Sequence, residues 1–286
     1  MNLHRLVNTQ SNYLIQKYGF RVFKIGLSTG IACPNKCHFC QKETFVDSTN
    51  DTFQTLNLTI DNLIEKIKTK VKASAYIAYF QDGTSFLGDP DYLFNMFKVA
   101  DNHQDIVELI ISTRPDCLPV NILNKLEELS KPVTIEIGIQ TTSDDSLLYL
   151  NRGHTQSDND KAIEILNNYN FRVGVHIILG IPGETKQQID NTLNWINNNM
   201  IIKDVKIHHL AVYKGTKLAE IIDKEDIINL EDYLSLLIYF TKNLRKDITI
   251  SRLFTSNLSK NRTMLNDFPG NKRIWLKKFE TYSYDL

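Results

Sequence analysis

Residues 172–196 read Arg172-Val-Gly-Val-His-Ile-Ile-Leu-Gly180-Ile-Pro-Gly-Glu184-Thr-Lys186-Gln-Gln-Ile-Asp-Asn-Thr-Leu-Asn-Trp-Ile196. The first part is β-branched and nearly continuously apolar, as in a strand buried on both faces. A Gly-Ile-Pro-Gly turn breaks it, and apolar residues then recur at helical spacing over Lys186–Ile196. This is one strand–helix unit. Similar strands are predicted at Val22–Ser28, Ala75–Phe80, Val107–Ser112, Val133–Ile139 and Val205–Leu210. Amphipathic stretches at Ile60–Val71, Asn121–Leu129 and Asp160–Asn168 lie between them. Such alternation predicts a parallel sheet with helical crossovers. Six units suggest a partial TIM-like (β/α)6 barrel of the α/β class. An open doubly wound sheet has the same periodicity and is the rival. After about Glu220 the pattern changes to one long helix, Leu230–Leu244, and a last strand at Ile248–Leu253. The expected division is a barrel over 1–220 and a helical and strand extension over 221–286.

The chain has 286 residues, 42% of them apolar, and a formal net charge of zero. That composition supports a large core and argues against disorder. Global charge gives no support to a nucleic-acid partner. No apolar run approaches the ~18 residues a membrane helix needs, and no signal peptide is visible. A soluble, cytoplasmic protein without a membrane partner is expected. The segment from Ser251 to Lys278 is the exception in charge, with Arg252, Lys260, Arg262, Lys272, Arg273, Lys277 and Lys278 against Asp267 alone.

Three of the four cysteines lie in Cys33-Pro-Asn-Lys-Cys37-His-Phe-Cys40, directly after the first predicted strand. Thiolates at this spacing can converge from one loop onto a cubane. A 4Fe–4S cluster normally takes four cysteines. Three ligands leave one iron open to bind a substrate or cofactor. A structural zinc site needs four closed ligands and would have to recruit Cys117 or His38. The loop's position fits the cluster reading, because the C-terminal ends of barrel strands form the active face.

The C-x3-C-x2-C array resembles that of the radical S-adenosylmethionine (SAM) superfamily. Five further stretches resemble its YtqA/YhcC-like family, related to the Elongator catalytic subunit. They are Ser112-Thr-Arg-Pro-Asp-Cys-Leu118, Glu136-Ile-Gly-Ile-Gln-Thr141, Leu150-Asn-Arg-Gly-His154, Val175-His-Ile-Ile-Leu-Gly-Ile-Pro-Gly-Glu184, and Lys206-Ile-His208 with Lys214-Gly-Thr216. The chain departs from that family in its short spacer between the first two cysteines and in its ending. The resemblance implies that Cys33, Cys37 and Cys40 hold a 4Fe–4S cluster that reduces bound SAM. It implies that Glu136 and Gln140 lie near the ribose and methionine groups of SAM, and that Gly180, Pro182 and Gly183 pass the adenine. Arg152 is a candidate carboxylate clamp and Phe39 packs near the cofactor. Gln81 and Thr84, in Tyr79-Phe-Gln-Asp-Gly-Thr84, match the place where such enzymes bind the SAM amino group.

Period-two geometry sorts the remaining polar residues without the family. Glu136, Gly138 and Gln140 share one strand face; so do Arg172, Gly174 and His176, and Lys206 and His208. Helices cover the outside, so these sets face the lumen. His176 and His208 are candidate catalytic groups, or satisfied core histidines. His209 faces the other way. Cys117, after the third strand, is a candidate hydrogen-atom donor or proton relay, or a buried inert thiol. Relatives of the family are linked to conversion of 5-carboxymethylaminomethyluridine to 5-aminomethyluridine in tRNA. The implied partners are therefore tRNA, docked on the basic tail with Trp275 stacking on a base, and an electron donor such as flavodoxin or ferredoxin. A solvated surface is the plain reading of that tail. The alternative functions are a radical SAM reaction on a small molecule and a non-catalytic, metal-stabilised RNA-binding module. No second cysteine trio exists to support methylthiotransfer.

Overall fold

The computed structural model describes residues 7–40, 52–81, 83–255, 263–266 and 268–285. Seven strands form one sheet in chain order: β1 Val22–Leu27, β2 Ala75–Phe80, β3 Ile106–Thr113, β4 Val133–Gln140, β5 Arg172–Leu179, β6 Ile202–His209 and β7 Thr249–Arg252. Every neighbouring pair is parallel. The helices are α1 Gln10–Tyr18, α2 Leu56–Lys68, α3 Pro90–Asn102, α4 Val120–Leu126, α5 Asp144–Tyr149, α6 Gln156–Leu166, α7 Lys186–Asn198, α8 Lys217–Ile221, α9 Leu230–Asn243 and α10 Lys272–Asp285. Their starts are written locally. Asp89 caps α3 by accepting from the Tyr92 amide at 2.8 Å, with Pro90 in the first position, where no amide hydrogen is needed. Thr185 and Gln188 form a reciprocal capping box on α7.

Outward strand residues such as Ile25, Phe80, Ile111, Ile137, Val175 and Ile207 are fully buried under the apolar stripes of α2, α3, α4, α6, α7 and α9. The inward face is polar, and it shows that the sheet curls. The Lys206 ammonium on β6 hydrogen-bonds the Tyr79 hydroxyl on β2. In a flat sheet four strand spacings of ~4.8 Å would hold those strands about 19 Å apart. Lys24 on β1 likewise reaches Glu136 on β4 at 3.5 Å. The sheet is therefore a curled half-barrel, and the open doubly wound alternative is excluded. The strand expected near Ile248–Leu253 is the seventh member of the sheet, in register with β6.

The N-terminal segment closes the bottom. Thr9 bridges Ile250 in parallel, with the Ile250 amide donating to the Asn8 carbonyl at 2.7 Å. Helix α1 then touches both β7 and β1. Its Leu14 packs on lumenal Ile77, Tyr79 and Ile110. Lys17 and Tyr18 both bind the Glu108 carboxylate, at 2.7 and 2.8 Å. Beside them Arg172 stacks over the Tyr13 ring at 4.0 Å and pairs with buried Asp204, which also accepts from Thr249. Among the described residues no helix is long and apolar enough to cross a membrane.

Breaking the lower network should destabilise the whole barrel. Arg172→Ala leaves Asp204, only 2% exposed in its side chain, without its cation. A loss of about 3–5 kcal/mol is expected. Equilibrium urea unfolding checks this; an unchanged midpoint would show that the pair is dispensable.

Candidate active site

The loop after β1 carries the three cysteines to the C-terminal mouth of the barrel. Its position is set by residues 149–152. The His38 amide donates to the Leu150 carbonyl at 2.9 Å, and His38 Nδ1 meets the Tyr149 carbonyl at 2.7 Å. Asn151 Nδ2 donates to the Lys36 carbonyl at 2.8 Å. On the other side the Leu218 amide of α8 donates to the His38 carbonyl at 2.8 Å. Two guanidinium groups point at Cys37, which is buried: Arg152 Nη1 lies 3.4 Å and Arg114 Nη1 3.9 Å from its sulfur. Arg114 is itself locked by a two-point pair with Asp116 and by donation to the Arg152 carbonyl at 2.6 Å.

Two guanidinium groups aimed at Cys37, the middle cysteine of the trio, fit an anionic iron–sulfur cluster held on this loop. The buried Nε of Arg152 has no partner, so the site has donor capacity to spare. Among the described residues no three His, Cys, Asp or Glu side chains gather about one point as a single metal ion needs. A cubane requires less, since each thiolate binds a different iron.

The residues expected near the cofactor lie around this mouth, except Glu136, which sits deeper and is described below. Phe39 packs with Leu150, Ile178 and Ile181, and its ring centre is 6.0 Å from the Arg152 guanidinium. Gln140 ends β4 with φ +69°, uncommon for a residue with a side chain, beside a break in the β4–β5 register. A Cβ on Gly138 would lie 2.8 Å from Gln140 Nε2, so only glycine leaves that side chain its place. Arg152 Nη2 donates to the Gly138 carbonyl at 2.8 Å. The fork of Arg152 thus engages Gly138 and Cys37. Gly183 is exposed, with φ +75° and open space where a Cβ would be, and Pro182 is half-buried beside it. Gly180 abuts Ile228. Thr84 is buried against Thr113, with hydroxyls 3.0 Å apart, and Gln81 lies over Gly26 of β1. Cys117 follows β3, its carbonyl held by the Thr113 hydroxyl at 2.9 Å. Burial, and then Asp116, push its thiol up, which keeps it protonated.

Glu136 lies deeper, within the lumen, 1% exposed. Its Oε2 accepts from Tyr79 at 2.7 Å and Ser112 at 3.3 Å and contacts His176 Nε2 at 2.6 Å; Lys206 is 3.7 Å away. Burial alone would raise this carboxyl, but Lys24 foremost, then Lys206 and His176, hold it well below the carboxylate range. Burial and the Lys206 charge push His176 down to about 4. Burial lowers Lys206 to about 7. His208 lies with its ring 6.0 Å from that of His176 and is also held neutral by burial. His209 points away, into an aromatic cluster with Tyr233 and Phe268. Tyr79, Ser112 and Lys24 were not among the expected site residues. The quoted Ser112-Thr-Arg-Pro-Asp stretch carried a signal for Arg114, whose aim at Cys37 only the fold reveals.

The basic tail divides. Lys260, Arg262 and Asp267 lie outside the described residues. Lys278 pairs with Glu231 at 2.8 Å. Lys272, Arg273 and Lys277 are exposed on α10. Trp275 is not available to stack on a base: it is buried between Phe254 and Phe268, and its indole N–H donates to the Pro269 carbonyl at 2.9 Å.

The Glu136 network sets a pH dependence. A carboxyl depressed by folding gives stability above its unfolded pKa, and this is lost as pH falls through and below that value. Lys24→Met removes the foremost cation. It should destabilise the protein near neutral pH, and the gap from wild type should narrow only as pH falls below about 4.5, toward the depressed folded-state value. Urea midpoints across that range check this; a constant gap would contradict the pairing.

The Radical SAM superfamily profile matches residues 27–196, more than half of the chain. The protein YhcC of Escherichia coli K12 is 31% identical over 246 residues, covering 82% of this chain and 78% of YhcC. A tRNA uridine(34) acetyltransferase of Methanocaldococcus jannaschii is 33% identical over 116 residues, 40% of this chain and 21% of that protein. In fold, the archaeal Methanocaldococcus infernus Elp3 structure superposes with a TM-score of 0.68 at 18% identity, over 91% of this chain and 63% of that one. The superfamily uses a 4Fe–4S cluster and SAM. With three cysteines on the loop after β1 of a curled parallel half-barrel, the chain belongs to the radical SAM superfamily and, within it, to the YtqA/YhcC-like family.

Proposed function

We propose that this chain modifies the wobble uridine of tRNA, converting 5-carboxymethylaminomethyluridine to 5-aminomethyluridine. The observation that carries the reading is the shared stretch with tRNA uridine(34) acetyltransferases. The Elp3-like fold is compatible with it. With SAM and the reduced cluster bound, the site would supply a 5′-deoxyadenosyl radical able to take a hydrogen from the carboxymethyl carbon next to the nitrogen; loss of a second electron to the electron-transfer partner and addition of water would then release the two carbons as glyoxylate and leave the free amine.

The protein's residues do the rest. Cys33, Cys37 and Cys40 hold the cluster, with Arg114 and Arg152 balancing its negative charge. Phe39, Gln81, Thr84, Gln140 and the Gly180–Gly183 turn wall the SAM site, and Arg152 keeps a spare donor there. Excluding water from this mouth protects a reactive radical. In the lumen, Glu136 positions His176 toward the space a polar substrate would enter, and His208 adds a neutral imidazole able to take a proton. Burial raises the Cys117 thiol, which suits it to relay a proton. An electron donor such as flavodoxin or ferredoxin reduces the cluster. The exposed cations Lys272, Arg273 and Lys277 engage tRNA phosphates.

Nucleoside mass spectrometry of total tRNA from a deletion strain tests the reaction. 5-Aminomethyluridine should fall and 5-carboxymethylaminomethyluridine accumulate; an unchanged profile would contradict the reading. Filter binding tests the docking. Reversing Lys272, Arg273 and Lys277 to Glu should remove most tRNA affinity and flatten its salt dependence by about 0.7–0.9 log units per lost phosphate contact. A small-molecule enzyme would show neither effect.

A further inference from the structure

The inner face of the last three strands is lined with basic side chains, of which Arg252 keeps a full charge. His176 on β5 is in register with Lys206 on β6, and Lys206 with Arg252 on β7. His176 and Lys206 share the inner face; a register break between Val205 and Lys206 passes over Ser251 and sets Arg252 opposite Lys206, so the three form one rung at the lumen. His208, two residues along β6 toward the mouth, stands beside them. Lys24 adds a further cation opposite.

The nearby carboxylates do not balance this rung. Glu136 already receives Tyr79, Ser112 and His176 on one oxygen and faces Lys24 with the other. Asp204 is held by Arg172 and Thr249 at the level below. Among the described residues Arg252 has no ion-pair or hydrogen-bond partner, and its charge repels Lys206, His176 and His208. Burial first, and then the Arg252 charge, lower Lys272 at the start of α10. Lys206 and Glu136 are almost fully buried, whereas Arg252, His176 and His208 remain partly accessible. The groups a ligand can reach are therefore basic. A guanidinium without a carboxylate partner favours an anion, and its planar fork matches a carboxylate.

We propose that the rung His176–Lys206–Arg252 receives a carboxylate of the substrate, with Arg252 as its main partner. The proposal rests on the reading of a modified uridine as substrate, whose carboxymethyl arm supplies that group. It makes Arg252 a specificity residue: the site reads the charge at the end of the arm as well as the base that carries it.

The test uses anaerobically reconstituted holoenzyme with SAM and two anticodon stem-loops. One carries 5-carboxymethylaminomethyluridine, the other its methyl ester, which keeps the shape and the phosphates but removes the charge. Wild type should bind the acid at least about tenfold more tightly than the ester. Arg252→Gln should erase that preference, and Arg252→Lys should restore part of it. Lys203→Gln, an exposed residue paired with Asp247, controls for general charge loss. Thermal melts establish that the variants are folded. Equal binding of acid and ester by wild type overturns the proposal, and so does failure to bind either. Loss of SAM affinity in Arg252→Gln also overturns it, by assigning the rung to the cofactor. Conversion of the tRNA arm is scored separately. Turnover without acid preference sinks the carboxylate site and spares the tRNA reading; acid preference without turnover does the reverse.

Discussion

The Glu136 carboxylate lies where five other strands converge. Lys24 comes from β1, Tyr79 from β2, Ser112 from β3, His176 from β5 and Lys206 from β6. A buried carboxylate must be surrounded by donors, and these can reach it only if the sheet curls. The same requirement fills the lumen with basic groups. One acid collects several of them, and those it leaves unsatisfied, Arg252 above all, face the space a substrate would occupy. Below, Glu108 and Asp204 repeat the arrangement with Lys17, Tyr18, Arg172 and Thr249, and α1 seals the floor. Polar groups thus both fix the curvature and close the barrel at one end, leaving the cysteine mouth as the open end.

At that mouth, two short segments do for the cysteine loop what hydrogen-bonded strands do for the barrel. Residues 149–152 hold its backbone at Lys36 and His38, and Arg152 and Arg114 place charge at Cys37. A loop that must present three sulfurs at fixed spacing needs such bracing, because its own backbone bonds are few. The described residues of the site are therefore ordered by the surrounding protein.

Much of the barrel was legible in the sequence. Ala75–Phe80 and Arg172–Leu179 are continuous apolar or alternating runs, and they are the observed strands residue for residue. β6 starts three residues before the expected Val205, because Lys203 and Asp204 interrupt the apolar run and Asp204 becomes tolerable there only through Arg172 and Thr249, distant in sequence. Period two put Glu136, His176 and Lys206 on the inner face, yet their mutual contacts depend on curvature that no local pattern encodes. Arg152 read as a clamp for a ligand; its hold on Gly138 and Cys37 required the loop's placement. Trp275 read as an available aromatic beside cations, and long-range packing on Phe254 and Phe268 buried it.

Three cysteines on the loop after β1 should support reductive cleavage of SAM. Anaerobic reconstitution, reduction, addition of SAM and quantification of 5′-deoxyadenosine and methionine measure this. A 4Fe–4S signal in electron paramagnetic resonance should appear and shift when SAM binds. The two products should form in equal amounts, and Cys37→Ala should abolish both signal and products. A cluster that forms without any 5′-deoxyadenosine, or product formation that survives loss of Cys37, would contradict this.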